Sequence, residues 1–175
     1  MKKGWIGGGR TQTGLHFEAR TSFQEALKKI NWYKIENDRY VLFEDNKVAE
    51  IYQKNSLYKY LLAPNGVDYR TLLSKKLLPD NAIFVISKNT LFVIEIKYQG
   101  VAGSVDEKLQ TCDFKKKQYQ RLMKPLWLET QYCYVLSEWF MKPEYRDVLN
   151  YIQAVGCSYF FWELPLDYLG LPDPR

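Results

Sequence analysis

The chain has 175 residues, of which 46% are hydrophobic and 26% charged, a balance that supports one hydrophobic core and excludes a disordered chain. Its formal charge of +5 and pI near 8.9 favour an anionic partner without requiring one. Three widely spaced cysteines (Cys112, Cys133 and Cys157), a lone histidine (His16) and the lack of any long apolar run predict reduced thiols, no histidine-rich metal cluster and no membrane span.

The opening "MKKGWIGGGR" has no apolar segment after its lysines, so no signal peptide is expected and the setting is read as cytoplasmic. Residues 4–14, "GWIGGGRTQTG", read as a flexible arm; without Gly-Lys-Ser/Thr they are not a phosphate loop. From Thr13 a helix is predicted on Leu15, Phe17 or Glu18, Ala19, Phe23, Ala26, Leu27 and Ile30. A break at Thr21-Ser22 lets Ser22 cap a second segment, with Glu25 three positions on.

"RYVLFEDNKVAEIYQK" predicts a hairpin turning at Asp45-Asn46, with Val48, Glu50 and Tyr52 on one face. Short helices follow at 56–63 and 68–78, split by Pro64-Asn65-Gly66, then strands at 82–87 and 90–98. A polar loop at 99–105 leads into a helix over 106–124, with Phe114 and Leu122 toward the core. "QYCYVLSEWF" holds a strand, 144–155 a helix ended by Gly156, and "CSYFFWE" a last strand before a proline-rich tail that wraps the surface. Trp139, Phe140 and the run 159–162 are either core or a dimer surface. The order predicts an α/β class, a mixed sheet with helices on both faces, in one domain.

The segment 79–100, "PDNAIFVISKNTLFVIEIKYQG", carries the chemistry. Strand alternation puts Glu95 and Lys97 on one face, and the turn at Lys88-Asn89 folds Asp80 back opposite residue 97, within two positions. Two carboxylates there form a hard oxygen site suited to Mg²⁺, with Mn²⁺ as a substitute and the Ile96 carbonyl as a further ligand. Lys97 then orients or deprotonates the attacking water. The alternative is that Glu95 and Lys97 keep an edge strand soluble and that Asp80 is a turn residue. Gln99 continues the same face toward a phosphate or bound water.

Beyond the strand, Ser104 is placed to cap a helix with Glu107, whose free N–H groups suit a phosphate. Lys115, Lys117 and Arg121 then form a basic helical stretch that fits either a nucleic-acid backbone or a solvated face.

Pro79-Asp80, the fifteen-position interval to Glu95 and the run Glu95-Ile96-Lys97 resemble the PD-(D/E)xK nuclease superfamily, which contains many type II restriction endonucleases. "GLHFE" and "GSVDEK" add to the likeness, which spans roughly residues 14–136. The resemblance implies a restriction-endonuclease-like mixed central sheet flanked by helices, Mg²⁺ held by Asp80 and Glu95, and Lys97 as the catalytic lysine. It also implies Glu18 beside the metal, with Glu50 as a weaker rival, and Lys108 contacting phosphate. The expected activity is cleavage of double-stranded DNA by a homodimer. A homing or nicking endonuclease, a Holliday-junction resolvase or a non-catalytic DNA-binding module remain alternatives.

Overall fold

A computed structural model describes residues 14–17, 22–99 and 105–173. The chain begins with a strand, β1 (Gly14–His16), rather than the helix expected from Thr13. Leu15 and Phe17 are buried while His16 faces out, the two-residue period of a strand, and β1 pairs antiparallel with a strand near the other end. The break expected at Ser22 is real. Ser22 caps α1 (Phe23–Lys28) by accepting from the Glu25 amide, and Glu25 Oε2 accepts the Ser22 amide at 2.8 Å.

Three strands follow, β2 (Tyr33–Glu36), β3 (Tyr40–Phe43) and β4 (Asn46–Tyr52). The predicted hairpin is β3–β4, turning at Glu44-Asp45, one residue earlier than expected, with both residues at positive φ. The helix expected at 56–63 is present as a continuous helical stretch, π-helical at Tyr58–Leu62 and ending in a 3₁₀ turn at Ala63–Asn65, whereas the one expected at 68–78 is only a 3₁₀ turn at Tyr69–Thr71. Then come β5 (Asn81–Val85) and β6 (Thr90–Lys97), joined by a turn ending on left-handed Asn89.

The long helix expected over 106–124 is divided into α2 (Val105–Leu109) and α3 (Cys112–Met123). The Tyr134 hydroxyl donates to the carbonyls of Lys108 at 3.2 Å and Leu109 at 3.3 Å, and Thr111 Oγ1 donates to Lys108 as well. These donors satisfy carbonyls that a continuous helix would have bonded. The chain continues with β7 (Glu129–Leu136), α4 (Arg146–Ala154), β8 (Ser158–Phe161), β9 (Glu163–Pro165) and α5 (Leu166–Leu169).

The central sheet has seven strands in the order β2-β3-β4-β5-β6-β7-β8. Pairing is antiparallel from β2 to β6 and parallel from β6 through β8. The architecture is thus mixed α/β, with a mostly antiparallel sheet covered on both sides. One face, with Tyr52, Leu91, Val93, Tyr132 and Tyr134, packs against the 57–62 turn, α3 and α4. The other, with Ile51, Ile83, Phe92, Ile94 and Val135, is covered by α1, α5 and the β1–β9 ribbon. Phe140 is core, whereas Trp139, Tyr159, Phe160, Phe161 and Trp162 are half-buried. Among the described residues, no helix is long and apolar enough to cross a membrane.

Candidate active site

β6 is the third of the seven strands from the β8 edge and is paired on both sides along most of its length. Such a strand reads as a continuous apolar run, and six residues from Thr90 to Glu95 are buried. Glu95 therefore enters the interior with only 9% of its side chain exposed. Burial alone would raise its carboxyl pKa. The Lys97 charge and hydrogen bonds from Lys115 and Tyr132 outweigh that effect and hold it below the ordinary value.

The partners converge from three elements. Lys97, two residues along the same face of β6, sets its Nζ 2.8 Å from Glu95 Oε2, an ion pair without hydrogen-bond alignment. Lys115 on α3 donates to Oε1 at 2.7 Å, and the buried Tyr132 hydroxyl on β7 donates to the same oxygen. The pairing Val93↔Tyr132 puts the Tyr132 ring one strand away on the Glu95 face.

Asp80 precedes β5, whose first pair is Asn81↔Ile94, so continuing that register sets Asp80 level with Glu95 and on the same face. This falls within the expected two positions of residue 97. Asp80 is 47% exposed and paired with Lys54 Nζ from the loop after β4. Tyr119 on α3 lies buried near both acids: burial raises its hydroxyl pKa, and the charges of Tyr58, Glu95 and Asp80 push it further.

No group of three or more acidic, histidine or cysteine side chains suited to a metal occurs among the described residues. The available donor set is two carboxylates and one carbonyl. The Lys97 carbonyl accepts from the Ser137 amide on the β7 side. Strand alternation therefore turns the Ile96 carbonyl toward the β5 side, where the ladder has already ended. Two carboxylates and an unladdered carbonyl at one sheet end suit an oxygen-seeking Mg²⁺ that retains several waters.

Gln99 is buried just beyond β6, its backbone N–H and C=O both bound to Ser137 Oγ at 3.3 Å. Glu50 lies opposite Phe84, four residues along β5 from Asp80, and is occupied by Lys47, Tyr52 and Arg39. Glu18 and Ser104 lie outside the described residues. His16 is an exposed strand residue beside Glu163, not a helical one.

The basic stretch does not act as one surface. Lys115 turns inward to Glu95, while Lys117 pairs with Asp113 at 2.7 Å and Arg121 is exposed. At 100° per residue, Lys117 and Arg121 stand about 200° and 240° around α3 from Lys115. They face away from the carboxylates. Lys108 is exposed on α2. Phe114, expected inward, is 61% exposed, because the buried stripe runs through Cys112, Tyr119, Leu122 and Met123. That spacing would have revealed Lys115, which falls between Cys112 and Tyr119 on the stripe. Tyr132 carried a weaker signal, as a polar-tipped residue within a buried strand.

No family model matches this chain, and neither the curated proteins nor the solved structures searched give a match.

Proposed function

We propose that the chain is a Mg²⁺-dependent endodeoxyribonuclease of the PD-(D/E)xK type, acting as a restriction endonuclease on double-stranded DNA. The observation that carries the reading is the convergence of Asp80, Glu95 and Lys97 at one end of β5 and β6, where the Ile96 carbonyl is also free of the ladder. Asp80, Glu95 and the Ile96 carbonyl would hold the metal. When bound, Mg²⁺ polarises the phosphodiester and lowers the pKa of a coordinated water. Lys97, 20% exposed, orients the attacking water and offsets charge growing on the phosphoryl oxygens. Asp80 lies at the solvent-facing side of the pair, where a bulky polyanion has access. One such site cuts one strand, so double-strand cleavage requires a homodimer or successive nicks.

Incubating the protein with mixed-sequence DNA in Mg²⁺ or in EDTA, followed by end sequencing, tests activity, specificity and stagger together. Metal-dependent cleavage is expected, and Asp80→Ala, Glu95→Ala and Lys97→Ala should each lower the rate at least about a hundredfold. A variant that cleaves at the wild-type rate loses its assigned role.

A non-catalytic nucleic-acid-binding domain is the second reading, favoured because both carboxylates already have lysine partners. Salt-sensitive DNA binding with no metal-dependent nicking would select it.

A further inference from the structure

Three ammonium groups surround two carboxylates: Lys97 and Lys115 on Glu95, and Lys54 on Asp80. Neither Lys54 nor Lys115 belongs to the strand motif. Lys54 comes from the loop after β4, and Lys115 from a position on the buried stripe of α3. With all five groups charged, the cluster carries a net charge of one positive unit before any metal arrives. A dication entering it meets like charge at short range in a partly buried setting, where screening is weak. It also competes with lysines for the carboxylate oxygens it needs.

Both side chains retain a path outward, Lys115 being 28% exposed and Lys54 59% exposed. A phosphodiester laid across the site offers their ammonium groups another anion. We propose, resting on the nuclease reading, that Lys115 and Lys54 are positioning residues that hold the carboxylate pair until DNA draws them away. Metal binding and DNA binding are thereby coupled. Linkage makes the coupling reciprocal, so metal strengthens DNA binding by the factor by which DNA strengthens metal binding.

The test is Mn²⁺ binding, read by electron paramagnetic resonance on the full chain, with and without a phosphorothioate-substituted mixed-sequence duplex. For the wild type, the duplex should tighten Mn²⁺ binding about tenfold or more, within the usual range of coupling between sites. Lys115→Met keeps an apolar stem on the buried stripe and removes the charge. It should bind Mn²⁺ about tenfold tighter without DNA and lose most of the DNA-induced gain; Lys115→Arg should restore the wild-type pattern. Lys54→Met, at an exposed position, should act in the same direction and supports the test if Lys115→Met does not fold.

Unchanged Mn²⁺ affinity in both methionine variants, or an undiminished DNA-induced gain, overturns the proposal. If the wild type nonetheless cleaves DNA in a metal-dependent manner, the nuclease reading survives that result. A wild type that binds no Mn²⁺ with or without DNA overturns both.

Discussion

Glu50 stands on the same sheet face as Glu95 and shows what a carboxylate does there when its partners are structural. Burial tends to raise its pKa, but hydrogen bonds from Lys47 and Tyr52 and the charges of Lys47 and Arg39 hold it below the ordinary 4.5. A depressed carboxyl stabilises the fold above its unfolded pKa and loses that contribution as pH falls through the folded value. Glu50→Gln should therefore lower the urea-unfolding free energy by about 1 kcal/mol at neutral pH. The gap from wild type should close as the solution becomes acidic enough to protonate Glu50; a gap constant with pH would show packing rather than charge. At this scale the sequence was legible where a period governs it. Alternation alone brings Glu95 and Lys97 together, and a short turn returns Asp80 to them. Lys115 was hidden because a run of three lysines reads as a solvated face, although only one of them lies on the buried stripe.

The break between α2 and α3 belongs to the scale of elements. A helical pattern extends across Gln110-Thr111, so periodicity predicts continuity; the interruption is imposed from another strand by Tyr134. Tyr134→Phe removes a hydroxyl from two carbonyls and should cost about 1 kcal/mol. Amide hydrogen exchange should accelerate first in α2, whereas uniform acceleration across the sheet would assign Tyr134 a general core role. The capped start of α1, the β3–β4 hairpin and the β5–β6 hairpin were all legible, because each is specified within a few neighbouring residues. β1 and β2 were not. β1 is only three residues long and acquires its partner from the far end of the chain, while β2 has four residues whose alternation is too brief to stand out.

For the whole molecule, the sheet's two faces have unlike covers. The face bearing Glu95 is closed by segments from the middle and later chain, including the 57–62 turn, α3 and α4. The opposite face depends on α1, α5 and the ribbon of β1 with β9. Composition predicted a single core, and the strand order predicted helices on both faces, but the ribbon follows from neither. Only a long-range pairing can make it.

That pairing, Leu15↔Leu164, closes a loop that takes in the whole central sheet. Closing a loop of that size costs entropy before the contact is rewarded, which places it late on the folding path. Leu164 is fully buried, and Leu164→Ala should cost about 3 kcal/mol. In a chevron experiment most of that loss should appear as faster unfolding, with the refolding arm scarcely displaced. A slowed refolding arm would instead make the ribbon part of the nucleus. A late clasp would let the face bearing Glu95 assemble while the opposite face is still exposed, so the vulnerable interval in this protein's life is the wait for β1 to meet β9.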